Sequence, residues 1–143
     1  MTPSFRTDDA VAESLLHEVQ QAKGVSTDTR DVLEDLVFWA LTGDKFDGND
    51  FVEAALEQGA AHVVSNRAQW HDEPRVTVLE DVLDALQVTA RALRRTWDCP
   101  VLALTGSNGK TTTKELLRDV LAEGLKVHAT SGNFNNHIGV PLT

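Results

Sequence analysis

Residues 105–113 read TGSNGKTTT. Two glycines bracket a Ser-Asn pair, and a lone lysine and three hydroxyls follow. A polyphosphate tail asks for these residue types in this order. Glycines let the backbone take unusual dihedrals and approach an anion closely, so that N–H groups converge on it. A helix beginning near Lys110 adds unpaired N–H groups and the positive end of its dipole. Lys110 can reach the β- and γ-phosphates, and the Thr111 hydroxyl can sit on Mg²⁺. Thr112 can donate to an α-phosphate, whereas Thr113 reads as an ordinary helix residue. The candidate nucleotide site is therefore Gly106, Ser107, Asn108, Gly109, Lys110, Thr111 and Thr112. Lys110 is its catalytic charge and Thr111 its metal ligand. The full pattern G-x-x-x-x-G-K-S/T asks for glycine at 104, where this chain has Leu104. The competing reading is a Gly-rich strand-to-helix turn that carries a surface lysine.

The elements around this loop must hold it open. Pro100 disfavours helix just before it. After it, VLALT (101–105) reads as a strand, GKTTTKELLRDVLAEG (109–124) as a helix and LKVHAT (125–130) as another strand. That is a β-loop-α-β unit, the opening of a parallel α/β sheet, with its loop at the C-terminal edge of a strand where such sheets bind ligands. Two parallel strands cannot bury both faces alone, so residues 98–143 read as the start of a longer ATPase domain.

The front part reads as a smaller α/β domain, residues 1–97. Thr7 or Asp8 can cap a first helix, with Val11, Leu15 and Val19 on one face and Gly24 at its end. LVFWAL (36–41) is a continuous apolar run, as buried strands are. TGDKFDGND (42–50) suits a turn, and Asn49 or Asp50 can cap a helix over 51–59. AAHVVS (60–65) and RVTVLE (75–80) read as further strands. Asp81 opens a helix to about Trp97, whose apolar face is Leu83, Leu86, Ala90, Leu93 and Trp97. Arg91, Arg94 and Arg95 fall on its solvated side.

Composition narrows the class. A net charge of −9 argues against a nucleic-acid surface, which needs a basic face. The first ten residues hold no apolar signal region, and no stretch approaches the ~18 apolar residues of a membrane span. The single cysteine, Cys99, excludes an internal disulfide and reads as a small packed thiol in a reducing compartment. These features point to the cytoplasm. His17, His62, His71 and His128 have no metal-ligand spacing.

Two stretches together, TGSNGKTTTKELL (105–117) and GNFNNHIGVPLT (132–143), resemble the Mur ligase family. The front half agrees, with VSTDTRDV (25–32) carrying D-S/T-R and residues 43–51 carrying G-x-x-x-D-G-x-x-F. The resemblance runs from about Val25 to Thr143. It implies a three-domain ATP-dependent ligase of peptidoglycan synthesis. The nearest pattern is that of the member joining D-alanyl-D-alanine to UDP-N-acetylmuramoyl-tripeptide. The peptide carboxylate would attack the γ-phosphate of ATP, and the dipeptide amine would then attack the acyl phosphate.

By resemblance, Thr29 and Arg30 lie near the uridine diphosphate, and Asp44, Lys45 and Phe46 line the uridine pocket. Asn133, Asn135, Asn136 and His137 lie between nucleotide and muramoyl substrate. The resemblance also implies ATP and Mg²⁺, no nucleic acid, no membrane insertion and a full-length monomer. An acidic metal ligand, a modified lysine and a histidine are expected beyond Thr143, so these 143 residues alone are expected not to turn over. Where the family often has histidine, this chain has Asn49. The alternatives are a non-catalytic UDP-sugar-binding module, a sister ligase adding the third peptide residue, and a small-molecule kinase.

Overall fold

Helix α1 (Asp9–Gln21) begins where the Asp8 carboxylate accepts a 3.2 Å hydrogen bond from the Ala10 N–H. That satisfies one of the orphan donors a helix start leaves. This computed structural model describes residues 7–31, 33–43, 46–132 and 134–143. The chain divides into two units, Met1–Thr96 and Trp97–Thr143. The expectations for Asp44, Lys45 and Asn133 lie outside the described residues.

In the first unit β1 (Gly24–Ser26) pairs in parallel with β2 (Leu36–Trp39). A small antiparallel hairpin follows, β3 (Thr42–Gly43) with β4 (Phe46–Asp47). A 3-10 turn (Gly48–Phe51) then runs into α2 (Val52–Glu57). β5 (His62–Ser65) pairs with β2, and β6 (Val76–Val78) pairs with β5, both in parallel. The sheet order is β1-β2-β5-β6. Helix α3 (Val82–Arg95) closes the unit, and the Asp81 carboxylate caps it by taking the Asp84 N–H at 2.9 Å.

The core explains why the strands read as apolar runs. Side chains alternate across a sheet, and both faces here are covered. Phe38, Ala40 and Val63 pack with Val52 and Ala55 of the α2 region and with Leu33 and Val76. Val37, Trp39 and Val64 are equally buried and point the other way. On that side α1 packs on β1 and β2, and α3 packs on α1. Ala12 and Leu15 of α1 and Ala85 and Leu86 of α3 are buried.

Three expectations for the first unit change. Helix α3 buries Val82, Ala85, Leu86 and Thr89, and not the expected Leu83, Ala90, Leu93 and Trp97. The stretch 42–50 holds a hairpin and a 3-10 turn. Asn49 and Asp50 do not cap α2, which starts at Phe51 with no side-chain cap. The capping carboxylate here is that of Asp47, which caps the 3-10 turn by accepting from the Asn49 N–H at 3.0 Å. Asn49 itself is buried. Gly48 makes this turn possible. A Cβ there would stand 2.8 Å from the Leu41 carbonyl oxygen and 2.9 Å from the Ala40 backbone.

The second unit contains α4 (Lys110–Ala122). The segments 101–105 and 125–130, expected as strands, carry no strand assignment. Parallel strands are stabilised by burial on both faces, and here Val101, Leu102, Leu104 and Leu125 are exposed. Leu116 and Val120 of α4 are exposed as well. Trp97 lies beyond the end of α3 and is exposed, and Cys99, expected to be packed, is exposed too. Among the described residues no helix is long and apolar enough to cross a membrane.

Candidate functional site

Gly106 and Gly109 both have positive φ, 141° and 79°, a region that L side chains rarely adopt. Gly109 is the residue before α4, and no side chain caps that helix, whereas α1 and α3 begin on the carboxylates of Asp8 and Asp81. The first turn of α4 therefore offers its N–H groups outward. They open on a concavity of about 260 Å³ lined by Ser107, Asn108, Gly109, Lys110, Thr111, Thr112 and Asn135. Lys110 is half-buried, and its ammonium donates to the Gly106 carbonyl across the loop. The Thr111 and Thr112 side chains are exposed. Uncapped helix-start amides, one ammonium and a hydroxyl are a donor set suited to a polyphosphate with its cation.

The structure brings Asn135 to this concavity and gives its neighbours other work. The Asn136 side-chain oxygen accepts from the Ile138 and Gly139 N–H groups at 3.1 and 2.7 Å, so it holds a turn. His137 is exposed and does not line the concavity.

Of the described substrate residues expected from resemblance in the first unit, Thr29 and Arg30 sit on the loop after β1, and Phe46 sits in β4. The Ser26 hydroxyl donates to Asp31 at 2.7 Å and accepts from the Asp28 N–H at 3.0 Å, which shapes the turn through Thr29 and Arg30. Arg30 is drawn onto Asp28, with Nε 2.9 and 3.0 Å from its two oxygens. The hydrogen bonds from the Arg30 side chain and N–H hold the Asp28 carboxyl down at about 2. Phe46 stacks on Phe51, centroids 5.5 Å apart and planes at 16°, and both rings are exposed. An exposed aromatic face of this kind can stack on a planar ring.

A depression of about 280 Å³ on this unit is lined by Asn49, Asp50, Glu53, Arg67, Gln69 and Trp70. Thr29, Arg30 and Phe46 do not line it. Asn49, expected from the sequence only as a helix cap, is its organising residue. Its Nδ2 donates to Asp47 at 2.6 Å and to Thr42 at 3.2 Å, and its Oδ1 accepts from the Asn66 N–H at 3.1 Å. Arg67 pairs with Asp47. Hydrogen bonds from Asn49 and then Arg67 hold the Asp47 carboxyl well below the usual carboxylate range. A second residue missed in the sequence is Lys114. Its position four residues after Lys110, on the same helix face, was the available signal.

The Mur ligase family, catalytic domain, matches residues 21–97, and the Mur ligase middle domain matches residues 104–143. A UDP-N-acetylmuramoyl-tripeptide–D-alanyl-D-alanine ligase of Bacillus subtilis is 46% identical over 122 residues, covering 84% of this chain and 27% of that protein. The Escherichia coli protein of the same name is 38% identical over 119 residues, covering 83% and 26%. The crystal structure of a MurF ligase from Thermotoga maritima in complex with ADP superposes with a TM-score of 0.74 at 35% identity, covering 85% of this chain and 28% of that one. MurF from Acinetobacter baumannii gives 0.75 at 31% identity, covering 91% and 31%. The chain thus spans little more than a quarter of the length of these relatives.

Proposed function

The chain belongs to the Mur ligase family, and we propose for it the activity its relatives are named for: ATP-dependent joining of D-alanyl-D-alanine to UDP-N-acetylmuramoyl-tripeptide. One observation carries the reading. The concavity at the uncapped start of α4 is lined by Ser107 to Thr112 and Asn135. Its residues fit ATP with Mg²⁺: the Gly106–Gly109 amides and Lys110 would hold phosphate oxygens, and the Thr111 hydroxyl would ligate the cation. Bound Mg²⁺ would offset charge on the transferring phosphoryl group.

In the reaction proposed, a peptide carboxylate oxygen bonds to the γ-phosphorus and ADP leaves. The dipeptide amine then bonds to the acyl carbon, and inorganic phosphate leaves with loss of a proton from nitrogen. The share of this chain is positioning and charge compensation by loop amides and Lys110. Lys110 already holds its ammonium over the loop on the Gly106 carbonyl, and an anion there would be a stronger acceptor.

For the uridine diphosphate end we propose the loop after β1, with Thr29 and Arg30, and the β3–β4 hairpin, with Phe46. What supports this is the ordered 26–31 turn and the exposed Phe46–Phe51 stack. The 143 residues by themselves are not expected to catalyse ligation.

The test titrates the chain separately with Mg-ADP and with UDP. Lys110→Ala is expected to weaken Mg-ADP binding roughly tenfold or more, the scale of one charged contact, and to leave UDP binding alone. Arg30→Ala should do the reverse. Mg-ADP binding indifferent to Lys110→Ala would overturn the phosphate-loop reading.

A further inference from the structure

The Lys114 side chain is only 17% exposed, although no side chain of α4 is fully buried. Its ammonium donates to the Thr130 carbonyl at 2.5 Å and the Gly132 carbonyl at 2.9 Å, and it pairs with Glu115 at 2.9 Å. Glu115 also pairs with Arg118, which in turn holds Asp119. Covering a lysine loses rotamer freedom and hydration, and here charge-assisted hydrogen bonds to two carbonyls offset that. Those carbonyls belong to a segment 16 and 18 residues away in sequence.

We propose that Lys114 is a positioning residue: it clamps segment 130–132 to α4 and thereby sets Asn135 at the wall of the phosphate concavity. Two anchors flank Asn135. On one side stands the Lys114 clamp. On the other, Asn136 takes the Ile138 and Gly139 N–H groups, and Phe134 is pressed on Gly139, where an added Cβ would lie 2.7 Å from the Phe134 Cβ. Lys110 and Lys114 share one face a turn apart. The first closes on the loop before the helix and the second on the segment after it. One helix face thus ties both walls of the concavity. The proposal rests on the nucleotide reading of that concavity.

Four variants of the 143-residue chain test it: Lys110→Ala, Lys114→Met, Lys114→Arg and Asn135→Ala, together with the Lys114→Met/Asn135→Ala pair. Two readouts are taken, affinity for a fluorescent ADP in Mg²⁺ and amide hydrogen exchange of residues 130–136. Lys114→Met is expected to weaken affinity roughly tenfold and speed exchange at 130–136. Lys114→Arg should recover most of both. The double variant should bind no more weakly than the poorer single one, because both remove the same contact.

Full additivity, or unchanged exchange in Lys114→Met, overturns the clamp. If Lys114→Met loses its helical circular dichroism, Lys114→Gln replaces it, and slower or equal exchange there overturns the clamp equally. Weakened ADP binding in Lys110→Ala with none in Lys114→Met removes the clamp and leaves the nucleotide reading. Unchanged binding in Lys110→Ala removes that reading itself.

Discussion

Asn49 Oδ1 accepts a 2.7 Å hydrogen bond from Ser65 Oγ, joining the 3-10 turn after β4 to the end of β5. Both residues are buried. The Ser65 oxygen in turn accepts from the Arg67 N–H at 3.1 Å. Two strand ends and the hairpin are thereby held to a single amide.

Replacing Asn49 with alanine should therefore destabilise the first unit by roughly 1–3 kcal/mol, since the buried Ser65 hydroxyl and the part-buried Asn66 N–H lose their acceptor. Asn49→Asp keeps the acceptor but sets a carboxylate against Asp47, whose oxygen lies 2.6 Å from Asn49 Nδ2. It should cost at least as much at neutral pH. Urea midpoints of the two variants check this. An alanine variant as stable as wild type would remove the hub.

Gly48→Ala should be nearly as costly, roughly 1–3 kcal/mol, because overpacking against rigid backbone has no rotamer to escape into. The atoms it would meet, of Ala40 and Leu41, are main chain. Thermal unfolding distinguishes this from the small gain that Gly→Ala brings at an unstrained site.

His62 is buried beside Thr77, with Nε2 2.8 Å from its hydroxyl, and Glu18 stands 3.9 Å from Nδ1. Burial lowers its pKa from the ordinary 6.5, and Glu18 opposes this only in part. Below 6.5 the unfolded chain binds more protons than the folded one, so stability rises with pH there. It is complete above 6.5 and drains away as pH falls towards the folded value. Asp47, held low, adds a loss of the same sign only further down, beginning as pH falls through the ordinary value of 3.8. Urea midpoints taken between about pH 7.5 and about pH 5.5 should fall in wild type and fall less in His62→Gln. Parallel curves would refute the assignment.

Thr111→Val should weaken ADP binding roughly tenfold in Mg²⁺ and hardly at all in EDTA, because it removes a cation ligand and not a phosphate donor. Thr111→Ser should behave like wild type. An equal loss with and without the metal would reassign Thr111 to the phosphates.

Much of this was legible in short windows of residues. The run at 36–41 announces a strand because parallel strands covered on both faces favour unbroken apolar residues, and 75–80 announces one by its alternation. Asp8 and Asp81 announce helix starts because only a side-chain acceptor satisfies those amides locally. The phosphate loop announces itself because positive φ at Gly106 and Gly109 is a property of the single residue. Each of these is physics acting over a few bonds, and so it survives in a one-dimensional string.

Partnership did not survive there. Asn49 has the composition of a helix cap, yet it turns inward because Ser65 and Asn66, 16 and 17 residues on, arrive at its side chain once β2 and β5 pair. Lys114 reads as a surface lysine until Thr130 and Gly132 come within its reach. The apolar segments flanking α4 have strand composition but no ladder, since a ladder needs a neighbour and composition cannot supply one. Residue type carries the dihedral and the polarity; which groups meet across the chain is set by loop closure and shared burial, and those exist only in three dimensions.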